Sequence, residues 1–483
     1  MASGRAMELG LSLVLTCVAM VPWSPSFADP PGWSDDFRLT WTEDGSSTAY
    51  NNGNKVVCDI FGNAHVVWTE SGYYDSYTYY MCKLAGGEAW TQPVCVDCDY
   101  SYFPALACDP WGNVHVAFCR GFVSDIYYRK YDGTSWYPIQ NLTDEGHPSW
   151  DPSIAADALG RLHVVWSDER DGNEEIYYTQ FDGASWGPNV RLTASEKIDR
   201  YAAVAADSKG VVHVVWVRNA GGWPLYYKRL DQSGWSPDTL LAPSFCNHPA
   251  IAVGPDDAVH VVWDGTDAEI YYKRRDQSGW SPKVRLTSLS GVSRYPSVAA
   301  DASGNVHVSW FDNYDGNDEI YYCAREGTTW GPLERLTEDP GLSQFPAVAA
   351  DGRGSVHLVW CDMRDPASDY EIYYKQRYAP GAGLTMSDVP VATPCKLMVS
   401  PNPARSEVEL GFWLSSPGSA SLAVIDIPGR IVWRGSCASA RQGWNSANWT
   451  CHDTSGNPVA PGIYLARIHA GGSSSTAKIV VVE

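Results

Sequence analysis

Asp157-Ala158-Leu159-Gly160-Arg161-Leu162-His163-Val164-Val165-Trp166 is one copy of a phrase that the chain repeats. Its end returns at His65–Trp68, His115–Phe118, His213–Trp216, His260–Trp263, His307–Trp310 and His357–Trp360, with histidines 47 to 50 residues apart. A fixed period of that length marks a stacked or radial array of small units. Working outward from His163, the alternation Leu162–Ser167 reads as one strand. Ser153–Asp157 before it, Glu175–Phe181 after it and Trp186–Thr193 beyond read as three more. Asp-x-x-Gly and Asp182-Gly183-Ala184-Ser185-Trp186 supply turns, because Asp caps locally and Gly accepts positive φ. Four short antiparallel strands per unit, repeated radially, describe a propeller blade.

Paired tyrosines mark the third strand of every copy, as at Tyr177-Tyr178. A tryptophan opens the fourth at Trp90, Trp136, Trp186, Trp235, Trp280 and Trp330. The seventh copy stops near Tyr378 without one. Pro31-Gly32-Trp33-Ser34, followed by Phe37-Arg38-Leu39-Thr40, copies Ser278–Ser281 and Val284–Thr287. The N-terminal segment is therefore expected to supply the outer strand of the last blade and close a seven-bladed all-β ring.

The chain has 483 residues and a net charge of −21. That surface repels phosphates and argues against a nucleic acid partner. Arg5, an apolar run from Leu9 to Val21 and Ser26-Phe27-Ala28 form an export signal, cut after Ala28. No later apolar run is long enough to span a bilayer, so the mature chain is expected to have no transmembrane helix. The division is signal peptide 1–28, propeller 29–378, linker 379–394 and a second unit, a small Ig-like β-sandwich, over 395–483. Cys95 and Cys98 form a lone C-x-x-C, which fits a disulfide or free thiols better than a zinc site.

Residues 395–483 lose the period. Pro401-Asn402-Pro403, Asp426–Arg430, Trp449 ahead of Asp453-Thr454-Ser455-Gly456, Pro461-Gly462-Ile463-Tyr464 and Lys478–Val482 resemble the C-terminal Ig-like sorting domain of type IX secretion cargo and its hook-capping-type relatives. That resemblance implies contact with secretion machinery and a place outside a bacterial cell or on its surface. The turns at Asp132–Trp136, Asp182–Trp186, Asp231–Trp235 and Asp276–Trp280 resemble the Asp-box of sialidases, which is structural in that family. A sialidase also needs an arginine triad, a tyrosine nucleophile with a glutamate partner, and usually Arg-Ile-Pro. Phe37-Arg38-Leu39-Thr40 lacks that motif, so those roles do not carry over.

A residue present in every blade is expected to be structural, and this covers the seven histidines, the tyrosine pairs and the tryptophans. Function is expected where the copies differ, on the face shared by the second-to-third loops and the fourth-to-first connections. The position two after the second-strand aromatic reads Glu70, Arg120, Asp168, Arg218, Gly265, Asp312, Asp362. The entry to the first strand reads Tyr102, Trp150, Arg200, His248, Arg294, Phe345. Glu70, Asp168, Asp312 and Asp362 are the candidate catalytic carboxylates, since glycoside cleavage needs two flanking the bond. Arg120, Trp150, Arg200, Arg218, His248 and Arg294 are the candidate ligand contacts, through bidentate pairing and stacking. Because these positions vary, Asp168→Ala and Asp312→Ala are expected to leave folding intact. Asp168, Asp171, Asp312 and Asp315 are the candidate calcium ligands, on Gly-containing acidic loops that read equally well as hairpin turns. No other cofactor is expected. The leading expectation is an exported propeller that binds a glycan or a surface protein on this face. A sialidase-like glycan hydrolase and a structural surface protein are the alternatives.

Overall fold

The computed structural model describes residues 29–378 and 396–482, apart from 43–44, 49–52, 73–74, 86, 88, 144–145, 366–368, 401–403, 415–417, 427–430, 442, 454–455 and 471–472. The signal segment and the linker of the sequence reading lie outside these residues. Over 29–378 the strands form seven antiparallel sheets of four or five strands. Numbered by chain order, blade 3 consists of Ser149–Ala156, Leu162–Asp168, Glu175–Phe181 and Val190–Arg191, and the other blades repeat this plan. The first strand begins four residues earlier than the repeat pattern suggests and the fourth is only two residues long. Each innermost strand packs on that of the next blade, and Val56–Cys58 of blade 1 packs on Ser101–Cys108 of blade 2 and on Ser343–Ala350 of blade 7, so the ring closes.

Closure of the last sheet follows the sequence argument. Phe37 and Arg38 pair with Tyr374 and Tyr373, and Trp33 bridges to Arg377. In every blade the second tyrosine of the third strand meets a fourth-strand tryptophan of the following blade edge-on. Examples are Tyr128–Trp186 at 4.9 Å and Tyr227–Trp280 at 5.0 Å. The second-strand aromatics Trp68, Phe118, Trp166, Trp216, Trp263, Trp310 and Trp360 are buried between blades. Aromatic contacts thus join each blade to the next, each ring pair contributing roughly 0.5–1.5 kcal/mol beyond area burial.

The repeated histidine is a buried strut. His163 Nδ1 lies 2.9 Å from Tyr178 Oη and its Nε2 lies 3.4 Å from Asp157. Asp157 also accepts the backbone N–H of Leu159 and Arg161, each at 2.9 Å, around Gly160 at φ +74°. One carboxylate thus ties a turn to a strand pair. Blade 5 departs from this plan, because Gly254 stands where the other blades have that aspartate.

Residues 396–482 form two further sheets: Lys396–Ser400, Val408–Leu414 and Gly443–Trp449 in one, Ile431–Ala440, Gly418–Asp426, Gly462–Ala470 and Ser473–Val481 in the other. Leu410, Phe412, Leu422, Val424, Trp449 and Ile468 share one core, making a β-sandwich. Cys95 and Cys98 are joined by a disulfide. No helix among the described residues is long and apolar enough to cross a membrane.

Candidate functional site

The carboxylates nominated as catalytic are built into the blades. Asp168 is fully buried. It accepts the Trp166 indole N–H at 2.7 Å, the Ser149 hydroxyl at 3.0 Å, and both Nε and Nη2 of Arg170 at 2.8 and 2.7 Å. Asp362 repeats the set with Trp360 at 2.8 Å, Ser343 at 2.9 Å and Arg364. Asp312 takes the Ser293 hydroxyl and the Tyr314 N–H, and burial raises its pKa. Glu70 accepts from Trp68 Nε1 at 3.2 Å. Each is tied within its own blade, which opposes the expectation that Asp168→Ala and Asp312→Ala fold undisturbed. Removing either strands buried donors.

The calcium candidates are likewise engaged. Asp171 accepts the Tyr177 hydroxyl at 2.5 Å and faces Arg191 at 3.1 Å; Asp315 accepts from Tyr321 and faces Arg335 at 3.2 Å. Among the described residues, no group of three or more His, Cys, Asp or Glu side chains is placed to hold a metal ion. Arg120 and Arg218 are engaged in ion pairs as well. Arg120 pairs with Asp97 at 3.3 Å and with Asp99, Arg218 with Asp199 at 2.7 Å and Asp238 at 3.0 Å.

A different set converges at the mouth of the central channel. The channel itself, about 260 Å³, is lined by small residues such as Ala155, Ala205, Ala299 and Ala349. Where six of the innermost strands enter it, two residues oppose one on the neighbouring strand, as Asp151 and Pro152 do between the pairs Trp150–Ser167 and Ser153–Val165. The first bulged residue is left-handed in all six: Phe103 (φ 51°), Asp151 (53°), Tyr201 (57°), His248 (44°), Tyr295 (51°) and Phe345 (53°). Such φ values cost about 1–3 kcal/mol each for bulky side chains and persist only where the surroundings hold them. His248 and Phe345 therefore belong one position later than Trp150, Arg200 and Arg294, a register the sequence spacing misaligned.

These side chains touch around the ring. His248 stacks on Tyr295 at 3.5 Å, Tyr295 meets Phe345 at 4.8 Å, and Tyr201 meets His248 at 5.9 Å. His248 Nδ1 lies 2.9 Å from Asp264. His248, Tyr295 and Phe345 border a narrow recess with Lys55. Arg200 lies over the rings of Tyr201 and Trp223 at 4.6 and 4.1 Å, and its buried Nε has no hydrogen-bond partner among the described residues. Trp150 packs beside Tyr102 at 6.5 Å, while Arg294 is exposed at its strand entry. The structure thus gathers Arg200 and His248 from the nominated ligand contacts, holds Arg218 in pairs within blade 4 and joins Arg120 of blade 2 to Asp97 on the outer strand of blade 1.

Lys55 and Asp151 were missed. The position of Lys55 in blade 1 is Ala105, Ser153, Ala203, Ala250, Ser297 or Ala347 in the other blades. It is the one charged residue in a ring of small ones, and Asp151 is the one carboxylate among the six left-handed bulge residues. Lys55 is 3% exposed and donates to the Gly53 carbonyl at 2.7 Å. Burial pushes its pKa down to about 7, against the attraction of Asp151. Burial pushes Asp151 up to about 7, with repulsion from Glu174, against Lys55 and Arg200. Glu174 is itself raised, by burial first. The signal available in the sequence was the aromatic-or-Asp-then-Pro dipeptide, repeated at Phe103-Pro104, Asp151-Pro152, His248-Pro249, Tyr295-Pro296 and Phe345-Pro346.

Comparison with known families matches residues 398–482 to the secretion system C-terminal sorting domain. The protein is accordingly a secreted or cell-surface protein of a bacterium. Comparison with curated proteins returns no match. Solved structures similar to this chain include a protein of unknown function from Dyadobacter fermentans, at 14% identity and TM-score 0.45 over 72% of this chain and 100% of that one. A Hadza microbial sialidase aligns at 14% identity and TM-score 0.42, over 62% and 73%. PorZ, a surface component of the type IX secretion system of Porphyromonas gingivalis, aligns at 12% identity and TM-score 0.36, over 89% and 69%.

Proposed function

We propose that this exported propeller is a glycan-binding protein of the bacterial surface, and that the glycan seats at the channel mouth. The observation that carries the reading is the contiguous arc Tyr201–His248–Tyr295–Phe345, held in left-handed bulges beside Lys55 and Arg200. Aromatic faces pack against the C–H faces of sugars, while a buried ammonium and carboxylate supply directional bonds to hydroxyls. Rigid backbone holds the rings in place, so little ordering entropy is lost on binding. The test is a glycan array probed with the purified exported chain, with released sugar followed in the same wells. Binding that is lost in His248→Ala and Tyr295→Ala, without loss of folding, supports the reading. Binding that survives both moves the site elsewhere.

Release of sugar would favour a hydrolase. The observation for that second reading is that Asp151 and Glu174 are both raised above ordinary carboxylates, as a general acid requires. Asp151→Asn and Glu174→Gln, rather than changes at Asp168 or Asp362, are then the variants that should abolish release.

A further inference from the structure

Blade 5 lacks a side chain that its neighbours have. At the end of the second strand, Asp168 of blade 3 and Asp362 of blade 7 each accept the indole N–H of the tryptophan two residues earlier, a serine hydroxyl from the first strand and an arginine. Glu70 accepts the Trp68 indole N–H at 3.2 Å in blade 1. In blade 4, Trp216 finds its carboxylate on the neighbouring strand, Asp199 at 2.9 Å. Blades 1, 3, 4 and 7 thus pair this indole with a carboxylate of their own, whereas in blade 6 the Trp310 N–H is buried without a partner although Asp312 stands at the position.

In blade 5 the position is Gly265, paired with Cys246. A cavity of about 260 Å³ opens there, bordered by Trp263, Gly265, Tyr271, Lys283, Ser244 and Asp267. Trp263 borders this cavity, and its indole N–H makes no hydrogen bond among the described residues and is not sealed from solvent. The Lys283 ammonium lies 3.9 Å over the Tyr271 ring and forms no ion pair among the described residues. Asp267 does not occupy the socket: it accepts the Tyr271 hydroxyl at 2.6 Å and faces Arg285. One indole donor, one ammonium and one unfilled volume thus coincide beside the position where blades 1, 3, 6 and 7 carry a carboxylate.

We propose that this cavity binds a small organic carboxylate, whose oxygens take the place of the Asp168 and Asp362 carboxylates and accept from Trp263 Nε1 and Lys283 Nζ. The site is separate from the channel mouth and lies on the same face, since Ser244 belongs to the fourth-to-first connection and Asp267 to the second-to-third loop. Its ligand is a free carboxylic acid or the carboxylate of a sugar acid.

Calorimetric titration of the full exported chain tests this with glucuronate and acetate as probes and glucose as the neutral control. Saturable binding of glucuronate, of acetate or of both supports the site; glucuronate alone assigns it to sugar acids. Lys283→Gln should weaken binding about tenfold or more, the loss expected for a charge-assisted bond. Trp263→Phe should weaken it while keeping the ring. Gly265→Asp should abolish binding by supplying an internal carboxylate, although Tyr271 must move, because a Cβ at 265 would lie 2.7 Å from its ring. Asp182→Ala, in an exposed turn of blade 3, should bind the acids as the wild type does. No saturable binding of either acid, equal binding of glucose, or unchanged affinity in folded Lys283→Gln would overturn the proposal.

Discussion

The indole of Trp33 meets the ring of Tyr322 edge-on, with centroids 5.0 Å apart, and joins residues from opposite ends of the propeller sequence. It is the contact that Tyr128 makes with Trp186 and Tyr227 with Trp280, completed in the last blade by the N-terminal segment. Trp33 Nε1 also donates to Glu334 at 2.7 Å, and the buried Lys375 reaches the Leu336 carbonyl at 2.8 Å and Asp36 at 2.9 Å. Trp33→Ala removes the ring that holds the closing strand on blade 6. A loss of about 3–5 kcal/mol is expected, as for other buried aromatic truncations. Denaturant unfolding measures it, and an unchanged midpoint would show that closure does not depend on this residue.

Asp168→Ala should destabilise the propeller by about 3–5 kcal/mol, because it leaves the Arg170 guanidinium and the Trp166 N–H without their buried acceptor. Hydrogen bonds from Arg170 and Trp166 hold this carboxylate below the usual range in spite of burial. Its contribution is therefore present at neutral pH and lost as pH falls below the ordinary carboxylate value. Asp182→Ala, in an exposed turn, is the contrast, and should change the melting temperature little. Equal melting of the two variants would refute the structural role of Asp168.

The ring, its closure and the strut histidines were legible because they recur, and recurrence at fixed spacing reports blade geometry directly. Asp168 was misread for the complementary reason. Its position varies between blades, yet its partners vary with it: Asp168 with Arg170 and Ser149, Arg218 with Asp199. Variation in one column looks like freedom until the second column is seen. Lys55 escaped because blade 1 is the least regular copy, its inner edge divided into Gly45–Ser47 and Val56–Cys58. The two-residue bulges then shift the register between Trp150 and His248, so that neighbours in space stand one position apart in any spacing-based alignment.

His65 and His260 occupy the same place in two blades and should titrate far apart. Burial opposes protonation of His65, but hydrogen bonds to Asp59 and Cys82 outweigh it and hold the pKa at about 9. His260 has Gly254 in place of that aspartate, and burial, with repulsion from Arg274, takes it down to about 4. The stability that His65 contributes is complete below pH 6.5 and is lost as pH rises through about 9. That of His260 is complete above pH 6.5 and is lost as pH falls through about 4, each amounting to about 3 kcal/mol. NMR titration of the ring protons checks both values. Coincident titration near 6.5 would refute the assigned partners.

Lys55→Met should reveal how Asp151 is held at the channel mouth. In the native protein burial drives both groups toward neutrality, and the remaining charge on each supports the other. Without the ammonium, Asp151 keeps its desolvation and its repulsion from Glu174, opposed by Arg200 alone, so its pKa should move above 7. A carboxyl raised in the folded state stabilises the fold at low pH, and that contribution is lost as pH rises through its folded pKa. The deficit of Lys55→Met should therefore be larger at pH 9 than at pH 5, and Asp151→Asn introduced beside it should restore melting at pH 9. A deficit independent of pH, or no rescue by the second substitution, would mean that Lys55 acts by packing alone and that the two groups do not share a site.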